Sequence, residues 1–131
     1  MANARIAKEC NVSTPNEPGA GAKVAQAVAD AGVNILGFNA YAENDVAKFR
    51  LLTADSDKAC ASFKGAGLSC RCAEVVVVET THRAGAIAEL LGKIAKAGVN
   101  VSYCYATATG GESLCVFNTG DNAKALAAVS G

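Results

Sequence analysis

The feature that most constrains the fold of this chain is an internal repeat with a spacing of 66 residues. The segment Asn16-Glu17-Pro18-Gly19 leads into an alanine-rich stretch, and residues 31–35 after it read Ala-Gly-Val-Asn-Ile. The segment His82-Arg83-Ala84-Gly85 leads into a second such stretch, and residues 97–101 after it read Ala-Gly-Val-Asn-Val. The glycines and asparagines match without a gap, and not only the abundant alanines. A repeat of this regularity predicts two similar structural units.

Length and charge narrow the class of protein. A unit of about 65 residues buries only about 60% of its unfolded surface, so we expect the two units to share a core or a sheet and the chain to form a dimer. Twelve basic and twelve acidic side chains give a formal charge of zero without a basic run, which argues against nucleic acid and anionic membranes as partners.

No apolar run is long enough to cross a bilayer. Charges at Arg5, Lys8 and Glu9 argue against an export signal, so we predict a cytoplasmic protein.

Hydrophobic periodicity gives each repeat the order strand, helix, strand, strand, helix. The predicted elements are strands 5–14, 34–41 and 46–54 with helices 20–31 and 57–64, then strands 68–80, 101–107 and 113–118 with helix 86–97 and a last helix after residue 121. A further strand would complete a βαββαβ unit of the α+β class. We therefore predict a first unit at 1–67, completed by a strand at about 68–73, and a second unit at 68–131.

The second repeat has no residues left for its last strand. By repeat register, the matching segment is the start of the chain, up to about Ala7. We expect these residues to fill the open edge of the second sheet. The run Val75–Val78 lies between two glutamates and predicts a strand buried on both faces.

Local signals place the helix ends. Pro18 suits a first helical turn, with Asn16 or Glu17 near the cap. Gly32 and Gly98 are expected to end their helices in the left-handed conformation. The second repeat's helix has a fuller apolar stripe, formed by Ile87, Leu90, Leu91 and Ile94.

Six cysteines are present without a C-x-x-C motif: Cys10, Cys60, Cys70, Cys72, Cys104 and Cys115. Cys70 and Cys72 are two residues apart in an extended segment, so both face one side of the sheet. A soft-metal site at this pair is one interpretation. The favoured interpretation is that reduced cysteines act as small hydrophobic core residues. We predict no metal and no cofactor.

The turn, the alanine-rich helix and the Ala-Gly-Val-Asn-Ile segment, within a βαββαβ pattern, resemble an ACT domain. Two in tandem over nearly the whole chain resemble the free-standing tandem ACT proteins of bacteria. The resemblance implies ferredoxin-like units with antiparallel sheets and helices on one face. It also implies a regulatory protein that binds an amino acid near the first loop, commonly at an interface between ACT units. The positions it implies for ligand contact are Asn16, Pro18, Gly19, Ala20 and Asn34, and in the second unit His82, Gly85, Ala86 and Asn100.

The residues themselves are compatible with this role. A helix N-terminus carries free amides and a partial positive charge that favour a carboxylate, and Gly19 leaves the approach to those amides open. Asn34 and Asn100 offer both a donor and an acceptor. Simpler interpretations stand beside these: Asn16 as a cap, Asn34 as a turn residue and His82 as a solvated loop side chain. Ala84 replaces the usual proline, so the second site is expected to be altered or lost.

Three functions follow from the sequence. The leading hypothesis is a non-catalytic regulatory protein that binds an amino acid and acts on a metabolic enzyme. The second is a module for oligomerisation or docking that needs no ligand. The third is a small ferredoxin-like enzyme, for which the single histidine and the absence of clustered carboxylates offer little support.

Overall fold

The computed structural model describes residues 3–130, which form two compact units. The first unit is Lys8–Ala73, and the second joins the described residues of Met1–Ala7 to those of Glu74–Gly131. Their elements are β1 (Asn3–Pro15), α1 (Ala20–Asp30), β2 (Ile35–Glu43), β3 (Val46–Thr53), α2 (Ser56–Gly65), β4 (Ser69–Thr81), α3 (Ala86–Lys96), β5 (Val101–Thr109), β6 (Glu112–Thr119) and α4 (Asn122–Ser130).

The strands of the first unit lie in the order β2-β3-β1-β4. β3 pairs antiparallel with β1 and with β2, with Val12 opposite Phe49 and Ala40 also opposite Phe49. The core of this unit joins side chains of β1, α1, β3 and α2, among them the fully buried Val24, Leu51 and Phe63. Residues of α1 and α2 therefore share a core with the sheet residues, as expected for a layer of helices packed on a sheet.

The second unit repeats this arrangement, with strands in the order β5-β6-β4-β1. β6 pairs antiparallel with both β4 and β5. Its core includes Ile94 of α3 and Phe117 of β6, and Ala4 and Ile6 from the start of β1 pack against it. Each unit thus has the βαββαβ set of elements, and the predicted α+β fold class is confirmed.

The long strand β1 divides between the units, and so does β4. Residues 3–7 of β1 group with the second unit, while the rest of β1 groups with the first. Similarly, Ser69–Ala73 of β4 belong to the first unit and Glu74 onward to the second. The division into a first unit at 1–67, completed by a strand at about 68–73, and a second unit at 68–131 stays a prediction.

Several local predictions are confirmed, and the predicted apolar stripe of α3 is partly wrong. Val75–Val78 are fully buried, and Gly32 and Gly98 have φ values of 70° and 74° at the ends of α1 and α3. The apolar stripe of α3 is narrower than predicted, because Ile87 is 39% exposed while Leu90 and Ile94 are buried. Among residues 3–130, no helix is both long and apolar enough to cross a bilayer.

Candidate functional site

The loop before α1 is held by backbone hydrogen bonds and not by a side-chain cap. Gly19 occupies the N-cap position with a φ of 87°, and no side chain caps the helix. The prediction of a cap at Asn16 or Glu17, with Pro18 in the first helical turn, is therefore wrong. The helix begins at Ala20 because the left-handed turn at Gly19, which glycine adopts without strain, redirects the chain just before it. The backbone amide of Asn16 donates to the carbonyl of Asp45 at 2.8 Å.

This turn leaves donors exposed at the start of α1. The amide of Ala20 donates to the Glu17 carbonyl and that of Lys23 to the Gly19 carbonyl. The amides of Gly21 and Ala22 have no acceptor within residues 3–130, as expected in a first helical turn. A methyl group at Gly19 would meet no heavy atom within 4 Å, so the loop is open on that side.

The second unit reproduces the same geometry 66 residues later. Gly85 occupies the N-cap position of α3 with a φ of 86°, and no side chain caps this helix. The His82 amide donates to the Gly111 carbonyl at 2.8 Å, and the Glu89 amide donates to the Gly85 carbonyl at 2.9 Å. Ala86, the first residue of the helix, is buried. The two loops therefore have the same backbone and differ in their side chains.

The charges around the two loops are reversed. In the second unit, the Arg83 guanidinium donates to the Glu89 carboxylate and to the Ala84 carbonyl. The hydrogen bond and charge of Arg83 lower the pKa of Glu89 below its ordinary value. In the first unit the corresponding residues are Glu17 and Lys23. The first loop thus has a cation in the first turn of its helix, where the second has a carboxylate.

The two asparagines after the helices also occupy equivalent places. Asn34 and Asn100 are exposed, and their carbonyls accept from the amides of Ala54 at 3.0 Å and Gly120 at 2.9 Å. In the described part of the chain, neither side chain has a hydrogen-bond partner, so both amide groups are available to a ligand. Contact between these asparagines and a ligand remains a prediction.

The first unit also contains a cationic cleft that was not predicted from the sequence. It has a volume of about 480 Å³ and is lined by Asn11, Val12, Ser13, Lys48, Phe49, Arg50, Ser69 and Arg71. None of the predicted ligand-contact residues lines it. Lys48 and Arg50 alternate with buried residues along β3, and this alternation was the signal available in the sequence. Their charges suit an anionic group in the cleft.

Comparison with known proteins agrees with this architecture. A family model described as an ACT domain pair matches residues 6–129. The chain belongs to this ACT domain pair family. No curated protein sequence matches the chain.

Solved structures share the fold of this ACT domain pair. A protein from Bacteroides thetaiotaomicron superposes with a TM-score of 0.90 at 23% identity, over 97% of this chain and 88% of that one. The ligand-free regulatory subunit of aspartate kinase from Thermus thermophilus gives 0.70 at 16% identity, over 98% and 94%. The aspartate kinase of Clostridium acetobutylicum gives 0.66 at 12% identity, over 98% of this chain and 33% of that one. At these identities the likeness concerns the fold.

Proposed function

We propose that this ACT domain pair is a non-catalytic regulatory protein that binds an amino acid at the loop before α1. The observation that carries the proposal is the open turn at Gly19, beside which the amides of Gly21 and Ala22 have no acceptor within the described residues. A ligand carboxylate would accept from these amides and gain from the positive end of the helix. The fold shared with a regulatory subunit of aspartate kinase supports a role in controlling a metabolic enzyme.

The charges favour the first loop over the second. Lys23 in the first turn of α1 attracts a carboxylate and Glu17 before the turn opposes one, whereas the equivalent turn of α3 carries the carboxylate of Glu89. The ion pair between Arg83 and Glu89 also occupies the guanidinium that could otherwise bind an anion. We infer that the first loop binds the ligand more tightly than the second loop does. Asn34 would be a partner for the ligand's ammonium or carboxylate group.

Replacing Asn34 by alanine is expected to weaken amino-acid binding about 10- to 100-fold, because a hydrogen bond to a charged group is worth about 1.5–3 kcal/mol. Isothermal titration of the full chain with each of the twenty amino acids identifies the ligand, and the variant is then titrated with it. Asn100→Ala is the equivalent change in the second unit, where Asn100 has the same backbone contact, and it is expected to weaken binding less because the first loop is proposed as the tighter site. Equal affinities for wild type and Asn34→Ala would contradict contact at Asn34.

An exposed apolar edge supports a second candidate, a homodimer that assembles without a ligand. β2 ends the first unit's strand order, and along it Ile35, Leu36, Phe38 and Tyr41 are 38–47% exposed. Large apolar side chains clustered on an edge strand are typical of an interaction surface. Asn34 precedes this strand directly, so a partner at β2 would lie beside the proposed ligand contact.

Phe38→Asp is expected to raise the dimer dissociation constant more than about 30-fold, because a buried aromatic at an interface contributes at least about 2 kcal/mol. Light scattering over a dilution series measures the change. Ile87→Asp is the control, since Ile87 is similarly exposed but lies on α3. A monomeric wild type would remove the assembly hypothesis. A stable dimer that binds no amino acid at millimolar concentration would favour it over the sensor.

A further inference from the structure

Three cysteines meet in the first unit, although they are distant in sequence. Cys10 lies on β1, and Cys70 and Cys72 lie on β4. Their sulfur atoms are all within 4.8 Å of one another. The sequence placed Cys70 and Cys72 on one sheet face, and the pairing of β1 beside β4 adds Cys10.

A fourth cysteine lies at the margin of this group. Cys60 of α2 lies close enough to Cys70 and Cys72 to influence both thiols, and it packs against the first unit's core together with Cys70. Its sulfur is not among the three that lie within 4.8 Å of one another, so its side chain must turn toward them to complete a four-sulfur site. The four cysteines therefore come from β1, β4 and α2 of the same unit.

The internal repeat shows that packing does not require cysteine at these places. The equivalent positions in the second unit hold Val76, Leu126, Ala4 and Ile6. All four of these side chains belong to or pack against that unit's core. These equivalent positions thus hold ordinary hydrophobic residues in the second unit and four cysteines in the first. If the cysteines served only for packing, there would be no reason for four of the six to lie together between β1, β4 and α2.

We propose that Cys10, Cys60, Cys70 and Cys72 bind one thiophilic d¹⁰ metal ion, zinc(II) or copper(I). With zinc–sulfur bonds of about 2.3 Å, a tetrahedral site has sulfurs about 3.8 Å apart. The sulfurs of Cys10, Cys70 and Cys72, which lie within 4.8 Å of one another, are near this spacing. The ion can enter at Cys72, which is exposed, and reach Cys10, which is fully buried.

Metal binding would join three elements of the first unit. Each ligand thiol releases its proton to water as the metal–sulfur bond forms. The bound ion would then hold the first residues of β4 and the middle of α2 against β1. This site is separate from the proposed amino-acid loop, because none of its four residues belongs to that loop. Failure of either proposal leaves the other intact.

The test uses the full reduced chain, freed of metal by a chelator. Cobalt(II) is expected to give the visible bands and near-ultraviolet charge-transfer absorption of a tetrahedral thiolate site, saturating at one ion per chain. Zinc(II) and copper(I) are then titrated separately against chromophoric chelators. The ion that the protein retains against its chelator identifies the metal.

Two variants and one control test the ligands. Cys72→Ser changes an exposed residue and is expected to weaken metal binding more than about 100-fold, because even outer-shell partners are worth about 10- to 100-fold. The fourfold variant Cys10→Val, Cys60→Leu, Cys70→Ala and Cys72→Ile copies the second unit's side chains and should fold but lose the metal. Cys104→Ser, exposed on β5, should retain wild-type affinity.

Each possible result either supports the metal site or overturns it. One ion per chain, lost in both cysteine variants and kept in Cys104→Ser, supports the site. Undiminished binding by the fourfold variant would overturn it, since the ion would lie elsewhere. Formation of a disulfide among the cluster, with no metal retained by the reduced protein, would also overturn it.

Discussion

Deleting residues 2–7 is expected to lower the free energy of unfolding of the second unit by about 3 kcal/mol or more. The deletion removes Ala4 and Ile6, which pack against the core formed by β4, α3, β6 and α4. It also removes the part of β1 that belongs to the second unit, so that the fully buried Val75–Val78 of β4 would lie at an edge of that unit's sheet. An apolar edge strand is destabilising and prone to aggregate.

Hydrogen exchange measures this effect locally, because it reports the protection of β4 and β6 amides separately from those of β2 and β3. Arg5→Ala is the control. It removes only the exposed ion pair between Arg5 and Glu79, at 3.0 Å, and should cost less than about 1 kcal/mol. Unchanged exchange in β4 and β6 after the deletion would contradict a structural role for the first residues.

The sequence predicted the fold well because its strongest signals are periodic. The repeat placed equivalent turns at Gly19 and Gly85, and the two have φ values within a degree of each other. The order of elements followed from alternating apolar patterns and from glycines after the helices. The helix start was harder to predict. Glycine at the N-cap acts through backbone conformation, while the polar residues Asn16 and Glu17 resembled side-chain caps.

The sites were less accessible to sequence reasoning, because they depend on strand neighbours. Cys10 and Cys70 are far apart along the chain, and only the placement of β1 beside β4 brings their sulfurs together. The cationic cleft likewise combines Arg71 of β4 with Lys48 and Arg50 of β3. The turn positions could be predicted because each loop and its helix are contiguous in sequence.

Phe63→Ala is expected to lower the free energy of unfolding of the first unit by about 3–5 kcal/mol, the usual cost of removing a buried aromatic. Phe63 lies on α2, is fully buried and belongs to the first unit's core. The Phe63 carbonyl also accepts from the Leu68 amide at 2.8 Å, where the chain leaves α2 for β4. The cavity would open beneath the helix that carries Cys60.

The second unit supplies the comparison for this substitution. Val129 occupies the equivalent position and is 1% exposed, so Val129→Ala removes less apolar surface and should cost about 1–2 kcal/mol. Urea unfolding of the metal-free chain should show a lower midpoint for each variant with an unchanged slope, and the larger shift for Phe63→Ala. A smaller effect at Phe63 than at Val129 would mean that α2 is not held on its sheet by this ring.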